Sequence, residues 1–433
     1  MKKVLIITYY WPPSGGIGVQ RWLKFAKYLP EFGWEPIVVI PQNPEYPLID
    51  EMLLKEVNES IKLIKIPILE PSQILSKLKR KGEGKKLSAG FMSDSKKGIL
   101  DKISIWIRSN VIIPDARRFW INPVYRGVSK FLEKNQIDYI ITTGPPHSVH
   151  LAGLKVKLKF KNINWIADFR DPWTKIDFYK ELKPNYLANW LHHYWEKKVV
   201  KSADIVLTVS DSNTYDYVNL GAKEVYTITN GFDPEDFSDT KYQLSKYFTI
   251  AHVGSFMANR NSSVLWEALS ELIIEVKGFK EDIRLKFVGN VDFSIKKELR
   301  EFGLIPYSKF IGFVTQKEAI EHQKSSHVLL LIINKTGNPK GMITGKIFGY
   351  LASLRQILLI GTQDGDAAKI IQKTESGLIA DPYDKDQIKN CILDFYKGYK
   401  KDKDIFKGNL NEINKFSRRK LTKDLVNILN LKS

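Results

Sequence analysis

Short apolar segments of strand length alternate along this chain with longer segments of helical periodicity. The first apolar segment is Val4–Thr8, the helical segment Val19–Leu29 follows it, and Pro36–Ile40 is the next apolar segment. Apolar runs of roughly four to eight residues, separated by helices, are typical of parallel strands joined by right-handed crossovers. Further strands of this kind are predicted at Tyr139–Thr142, Trp165–Ala167, Ile205–Thr208 and Val225–Ile228. The pattern predicts an α/β fold with a buried parallel sheet.

The alternation restarts after residues 230–246, which have the composition of a linker, with Gly231, Pro234 and several Asp, Ser and Lys residues. New apolar runs follow at Thr249–Val253, Leu285–Val288, Lys309–Ile311, His327–Ile332 and Gln356–Ile360. A chain of 433 residues has room for two or three domains of ordinary size. We therefore predict two successive α/β domains, residues 1–232 and 233–404, and a further helix within 405–433.

The charge is strongly positive, with 67 Lys and Arg against 48 Asp and Glu, a formal +19. Such a surface attracts nucleic acid, acidic lipid headgroups or phosphorylated substrates, although a generally lysine-rich composition gives the same excess. The single cysteine, Cys391, excludes an internal disulfide and fits a reducing cytoplasm. No apolar run reaches the ~20 residues that cross a bilayer, and the N-terminus lacks a signal-peptide pattern. We expect a cytoplasmic protein, with peripheral attachment to the inner face of the cell membrane as the alternative.

A basic insertion at about 77–118 fits neither domain pattern. Within it, Lys77–Lys102 holds nine Lys and Arg residues against three acidic residues, with apolar side chains interspersed. One interpretation is a flexible, solvated insertion, and the other is a basic, partly apolar patch that rests on anionic lipid.

Two adjacent glycines, Gly15 and Gly16, lie between the first strand and the first helix. Glycines let backbone N–H groups approach a ligand, and a helix N-terminus attracts a phosphate; a tight strand–helix turn explains them equally. The spacing is not that of the dinucleotide-binding fingerprint, and Ile40 rather than an acidic residue ends the second strand. Both observations disfavour an NAD-dependent enzyme, and we predict no cofactor.

Charged and polar residues follow two other predicted strands. His147 comes after Gly144-Pro145-Pro146, and Asp168, Arg170 and Asp171 come directly after the strand Trp165–Ala167. Carboxyl ends of parallel strands meet at the ligand-binding edge of a sheet. The charged residues form either an Asp–Arg ion pair that fixes the loop or a substrate-binding cluster. We expect Arg170 and Asp171 to bind substrate and leave both readings open for Asp168.

Two common kinds of chemistry are disfavoured. The pair His192-His193 lacks the spacing and the carboxylate partner of a metal site, so no metal is predicted. The G-x-S-x-G nucleophile elbow of hydrolases with a Ser–His–Asp triad is missing. A turn at 229–233, Thr-Asn-Gly-Phe-Asp, is explained by a hinge alone.

Taken together, these motifs resemble the family 4 glycosyltransferases. The resemblance rests on the glycine pair, His147, the stretch Asp168–Trp173, the Asn-Gly-Phe-Asp turn, Val253-Gly254, and the late segment Gly345–Ala352, which reads Gly-Lys-Ile-Phe-Gly-Tyr-Leu-Ala. It implies a GT-B fold, in which two Rossmann-like doubly wound domains face a central cleft and the C-terminal helix packs back on the N-terminal domain. It also implies a metal-independent, retaining hexosyltransferase that moves a sugar from a nucleotide-sugar to a glycan acceptor, which the basic insertion suggests is lipid-linked, in bacterial surface-polysaccharide biosynthesis. Nucleic acid is not an expected partner.

The resemblance also implies roles for particular residues. The predicted catalytic residues are His147, Arg170 and Asp171. The predicted donor-binding residues are Gly15, Gly16, Gly254, Ser255, Arg260, Thr344 and Lys346.

The sequence departs from the family pattern at two positions. The family has two glutamates eight residues apart, and both positions here are glycine, Gly341 and Gly349. The second glutamate of the family holds the nucleotide ribose, and a glycine side chain accepts no hydrogen bond. Either Thr344, Lys346 and backbone groups hold the donor, or the chain is a catalytically impaired binding subunit. A GT-B nucleotide-sugar epimerase is a further alternative.

Overall fold

A computed structural model of the protein describes residues 1–70, 106–107, 109–176, 179–238, 241–333, 339–402 and 404–431. The chain divides into two compact units: unit 1 comprises Met1–Thr229 and Leu421–Ser433, and unit 2 comprises Asn230–Lys420. Most of the basic insertion predicted at 77–118 lies outside the described residues. No described helix combines the length and the apolar character that a bilayer crossing requires.

Unit 1 is built on a seven-stranded sheet of order β3-β2-β1-β4-β5-β6-β7 in which each paired neighbour is parallel. The strands are β1 Lys2–Ile7, β2 Trp34–Pro41, β3 Lys62–Ile66, β4 Tyr139–Gly144, β5 Asn164–Phe169, β6 Ile205–Thr208 and β7 Val225–Thr227. Its named helices are α1 Ile17–Tyr28, α2 Ile121–Leu132, α3 Ser148–Lys159, α4 Tyr186–Ser202 and α5 Asp211–Leu220. The strand order reverses between β1 and β4, which is the point where open α/β sheets bind ligands.

Both faces of this sheet are buried. Leu5 and Ile7 of β1 pack in one apolar cluster, and Val4 and Ile6 pack in another on the opposite face. Successive side chains of a strand point to opposite faces, so a strand covered on both sides reads as a continuous apolar run. The second cluster includes Leu421, Leu425 and Leu429 of the C-terminal helix, all buried.

Unit 2 repeats the design with a six-stranded sheet of order β10-β9-β8-β11-β12-β13. The strands are β8 Thr249–Val253, β9 Arg284–Val288, β10 Ser308–Ile311, β11 Val328–Ile332, β12 Gln356–Ile360 and β13 Gly377–Ala380. The helices are α6 Glu235–Ser238, α7 Ser263–Glu275, α8 Phe279–Asp282, α9 Phe293–Glu301, α10 Gln316–Lys324, α11 Lys346–Ala352, α12 Asp366–Thr374, α13 Lys385–Lys401, α14 Leu410–Asn414 and α15 Arg418–Asn430, the last crossing into unit 1. The order reverses between β8 and β11. The prediction of two parallel-sheet α/β domains is confirmed.

Candidate functional site

Asp168, at the carboxyl end of β5, is fully buried in an ion pair. Arg21 of α1 donates to both carboxylate oxygens, from Nε at 3.2 Å and from Nη2 at 2.9 Å. Trp22 Nε1 donates at 2.7 Å and Thr143 Oγ1 at 2.9 Å. Burial alone raises the pKa of this carboxyl, but the charge and hydrogen bonds of Arg21 and the bond from Trp22 outweigh it, and the pKa is lowered. These contacts support the reading of Asp168 as an ion-paired structural residue.

Arg170 points its guanidinium at backbone carbonyls. Nη1 donates to the carbonyl of Gly18, Nη2 to that of Pro145, and Nε to that of Gly144 at 3.4 Å. The side chain is buried, and burial lowers its pKa, opposed by the charges of Asp171 and Asp168. Arg170 thereby ties Gly18, in the first turn of α1 just after the glycine loop, to the loop before α3. These bonds make it a positioning residue for both loops.

Asp171 lies one position further along and is exposed. The pair Arg170 and Asp171, grouped by the sequence, thus occupies two environments. Asp171 is therefore the more accessible member of the pair.

His147 directly precedes α3 at the edge of the sheet and is 9% exposed. Its ring stacks on that of Trp173, with centroids 4.9 Å apart and planes 5° apart. Its Nδ1 atom is buried and has no hydrogen-bond partner among the described residues. Burial, followed by the nearby His150, Arg170 and His192, lowers the pKa of His147 well below its usual value. A neutral imidazole can exchange hydrogen bonds with a hydroxyl group, but it has no acidic proton with which to serve as a general acid at neutral pH.

A cluster of buried titratable groups lies beneath His147. His150 shares a hydrogen bond of 2.9 Å between Nδ1 and Thr142 Oγ1, and its burial lowers its pKa to about 3. His192 accepts from Trp173 Nε1 at 3.0 Å through Nδ1, and burial lowers its pKa to about 4. Glu196 accepts from the Thr174 hydroxyl and backbone N–H, and burial raises its pKa. The cluster fixes the Trp173 ring that supports His147.

The two adjacent glycines of unit 1, Gly15 and Gly16, lie in different environments. The N–H of Gly15 donates to the carbonyl of Leu48 at 2.9 Å, and a Cβ on Gly15 would lie 2.9 Å from the Leu48 side chain. Gly15 is therefore required for close packing, and its N–H is already used. Gly16 is exposed at the N-terminus of α1 with φ 92°, and a Cβ there would meet nothing within 4 Å. Gly16 is the member of the pair that is accessible to a ligand.

In unit 2, two glycine turns follow the neighbouring strands β8 and β9. Gly254 has φ 100° and Gly289 has φ 106°, values that favour glycine. A Cβ on Gly289 would lie 2.9 Å from the carbonyl carbon of Gly254, and a Cβ on Gly254 would lie 2.9 Å from Lys346 Cε. The turns and the start of α11 thus approach one another closely at the carboxyl edge of the sheet. Ser255, next in the chain, is exposed at this edge.

Lys346, the first residue of α11, is held by two acceptors. Its Nζ lies 2.8 Å from Ser255 O and 2.8 Å from His252 Nε2. Burial, and then the charge of Arg260, lowers the pKa of Lys346 to about 7. Two cations, one with a pKa near neutrality, therefore share this edge with two glycine turns. The arrangement suits a polyanion such as a diphosphate.

The sequence interpretation did not identify His252. This residue lies in β8, is 2% exposed, and stacks on Phe256 with ring centroids 4.1 Å apart. Its Nδ1 lies 3.2 Å from the carbonyl of Leu330, and its Nε2 lies 3.5 Å from that of Ser255 and 2.8 Å from Lys346 Nζ. A carbonyl only accepts, so the shorter carbonyl contact favours a proton on Nδ1, with Nε2 as the acceptor for Lys346. Burial, and then Lys346, lowers the pKa of His252 well below its usual value, so the ring stays neutral.

The remaining predicted donor residues lie around the same helix. Thr344, two residues before Lys346, is buried, and its Oγ1 has no partner among the described residues. Gly341 is buried in the preceding turn, and Gly349 lies within α11. A Cβ on Gly349 would meet only Gln323, at 3.6 Å or more, which is ordinary van der Waals contact. Within the described parts of the chain, no group of three His, Cys, Asp or Glu residues is arranged to hold a metal ion.

Similar solved structures are glycosyltransferases with the GT-B fold. Sucrose-phosphate synthase from Thermosynechococcus elongatus has a TM-score of 0.63 at 12% identity, over 100% of this chain and 99% of that one. HepE from Anabaena, solved in complex with UDP-glucose, has a TM-score of 0.62 at 11% identity, over 100% of each chain. A glycosyltransferase from Rickettsia africae has a TM-score of 0.61 at 14% identity, over 99% of this chain and 98% of that one. No family model matches the sequence, and neither does any curated protein. At these identities the likeness establishes the fold, which is GT-B.

Proposed function

We propose that this protein is a glycosyltransferase that transfers a hexosyl group from a nucleoside diphosphate sugar to a glycan acceptor. The observation that carries the proposal is the position of Lys346. Its ammonium group lies at the start of α11, beside the glycine turn at Gly254 and near Arg260. The fold is one in which similar proteins bind such donors, as the UDP-glucose complex of HepE illustrates.

The leaving group of such a transfer is the nucleoside diphosphate. The bond between the anomeric carbon and the diphosphate oxygen breaks, the bond from the acceptor oxygen to that carbon forms, and the acceptor proton passes to the departing phosphate. Negative charge therefore grows on the diphosphate, and preorganised cations lower the barrier. In this proposal Lys346 and Arg260 supply that positive charge, which in many enzymes comes from a metal ion. We infer that the transfer needs no metal.

The finer features of the proposal are retention at the anomeric carbon, membership of family 4, and a lipid-linked acceptor for a surface polysaccharide. Support comes from the motif order at 168–173 and 345–352, and from the basic composition of 77–102. Of the unit 1 residues, His147 is assigned to sugar hydroxyls and Asp171 to the acceptor side. Arg170 would act through the two loops that it joins.

Turnover tests this proposal. A panel of nucleoside diphosphate sugars, UDP-glucose first, is incubated with the protein with and without EDTA, and release of the nucleoside diphosphate is measured. The expected result is release from one member, equal in the presence of EDTA. Release that EDTA abolishes would contradict metal independence. No release from any member, together with no binding, would overturn the proposed function.

One observation favours a second candidate. Gly349 stands where the resembled family has the glutamate that holds the ribose, and a glycine offers no carboxylate to the ribose hydroxyls. A binding subunit that retains the donor without turning it over fits this substitution. Binding without release in the same assay distinguishes it from the transferase.

A further inference from the structure

Helix α4 of unit 1 carries large apolar side chains on its solvent side. Tyr186 is 88% exposed, Leu187 63%, Trp190 51% and Tyr194 41%. We call these four residues the α4 aromatic face. The rings of Trp190 and Tyr194 stack with centroids 5.4 Å apart. Aromatic residues exposed together in this way mark a surface that meets a partner, whereas scattered ones do not.

The helix segregates its residues sharply. At about 100° per residue, the α4 aromatic face and the three lysines Lys197, Lys198 and Lys201 share an arc of roughly 120°. Ala188, His192, Glu196 and Val199 are buried on the other side. The one acidic residue of the helix, Glu196, is thus turned inward. The solvent arc combines aromatic and cationic groups without a carboxylate of its own.

A second segment extends this surface. Asn110 accepts from the backbone N–H of Asn185 at 2.6 Å and donates to the carbonyl of Trp106 at 2.9 Å. It therefore joins the start of α4 to the stretch around 106–119. Three large side chains of that stretch are exposed: Trp106 by 55%, Val111 by 53% and Phe119 by 42%.

We propose that the α4 aromatic face, with the exposed side chains of 106–119, docks this protein on an anionic lipid bilayer. Tyr and Trp side chains favour the headgroup level of a membrane, and lysine stems lie along apolar surface while their ammonium groups reach the phosphates. Lys198 already lies over the rings of Tyr194 and Trp195, 5.6 and 5.3 Å from their centroids. The arc pairs aromatic anchors with positive charge, which complements anionic lipid. The surface does not depend on the donor chemistry of unit 2.

The test is sedimentation of the full-length protein with phosphatidylcholine vesicles, with and without phosphatidylglycerol. The expected result is binding to the anionic vesicles, reduced roughly tenfold or more in Trp190→Ser/Tyr194→Ser. Lys197→Glu/Lys201→Glu is expected to lose binding to anionic vesicles by a similar factor and to bind neutral vesicles as the wild type does. The matched control is Phe313→Ser/Tyr383→Ser, which removes two rings of unit 2 that are 87% and 72% exposed.

Two outcomes would overturn the proposal. One is vesicle binding by the folded aromatic variant that equals the wild type. The other is a wild-type dimer in solution that the aromatic variant converts to a monomer, because a second copy would then cover the face. Circular dichroism establishes that each variant is folded. Nucleotide-sugar binding, measured without lipid, reports separately on the proposed function.

Discussion

The Nε2 atom of His252 lies 2.8 Å from the Nζ atom of Lys346, and the carbonyl of Leu330, 3.2 Å from Nδ1, favours the tautomer in which Nε2 accepts from that lysine. A neutral, buried imidazole and the Ser255 carbonyl therefore direct two of the three N–H bonds of the ammonium group. The third remains to meet a phosphate oxygen. His252 is on this basis a positioning residue for the proposed donor site.

Donor affinity is expected to fall as pH rises above 7. The pKa of Lys346 is about 7 in the free protein, and a bound diphosphate favours the charged form, so binding takes up a proton above that pH. Calorimetric titration of a nucleotide-sugar from pH 6 to 9 should show a loss approaching about tenfold per pH unit. Lys346→Arg, whose side chain stays charged throughout, is the control and should flatten the profile. A wild-type profile as flat as that of the arginine variant would contradict the role of Lys346.

The same lysine is expected to cost stability at low pH. Its folded-state pKa is below the unfolded value of about 10.4, so between pH 7 and about 10 the unfolded chain binds the extra proton and stability rises with pH. Below pH 7 the cost of the buried charge is present in full. Lys346→Met should therefore raise the free energy of unfolding of unit 2 at pH 6, by about 1–3 kcal/mol, and by less at pH 9. Urea unfolding of the wild type and the variant at the two pH values measures this difference. An equal gain in the free energy of unfolding at pH 6 and pH 9 would contradict the prediction.

Gly349→Glu is expected to strengthen donor binding. The Cβ position has only Gln323 as a neighbour, and glycine within a helix costs ~1 kcal/mol, so the substitution fits and favours the helix. A carboxylate that accepts from the ribose hydroxyls is worth roughly 1.5–3 kcal/mol, about ten- to a hundredfold in affinity. Titration with the same nucleotide-sugar measures it. If affinity were unchanged in a stable variant, the ribose would not lie near position 349.

Gly144→Ala is expected to displace the two imidazoles of unit 1. A Cβ there would lie 2.6 Å from His150 Nε2 and 2.9 Å from His147 Nδ1, and both rings are held by packing. Overpacking of this kind costs roughly 1–3 kcal/mol. Gly312→Ala is the matched control, since a Cβ on Gly312 meets nothing within 4 Å. Thermal unfolding of the two variants should separate them, and equal midpoints would show that the rings move aside freely.

Asp168→Asn is expected to destabilise unit 1 by about 3–5 kcal/mol, because it leaves the buried cation of Arg21 without its counter-charge. The pKa of Asp168 is lowered in the fold, so the ion pair stabilises in full above about pH 4 and its contribution is lost as pH falls through the folded-state pKa. Asp364→Asn removes an exposed pair with Lys340 and should cost less than ~1 kcal/mol. Urea unfolding at pH 7 compares the two. A similar small cost for both would mean that Arg21 finds another partner.

The sheets were predictable because their central strands are buried on both faces, which leaves continuous apolar runs such as Val328–Ile332. Two of the four edge strands, β3 and β13, escaped the same criterion, whereas β7 and β10 were predicted. β3 reads Lys-Leu-Ile-Lys-Ile and is mostly exposed, so its lysines interrupt the apolar run by which a strand is recognised. β13 is only four residues long and begins with a glycine.

The sequence indicates which strand ends carry the candidate residues, but not the contacts that those residues make. The sequence places Asp168, Arg170 and Asp171 at one strand end, yet the first pairs with Arg21, the second donates to backbone carbonyls, and the third is exposed. Nothing in the spacing separates these outcomes, because they depend on α1 packing against β5. His252 was missed because one histidine within an apolar strand gives no signal. Its partner, Lys346, lies 94 positions further along the chain.

The most direct measurement is calorimetric titration of a panel of nucleoside diphosphate sugars into the wild type, Lys346→Met and Lys297→Met. Lys297 is an exposed lysine of the same unit, paired with Glu301, and serves as the matched control. A nucleotide-sugar glycosyltransferase should bind one member at about micromolar strength, and the loss in Lys346→Met should be tenfold or more, with Lys297→Met unchanged. Binding of no member by the folded wild type, or equal binding by the Lys346→Met variant, would contradict a donor site at Lys346.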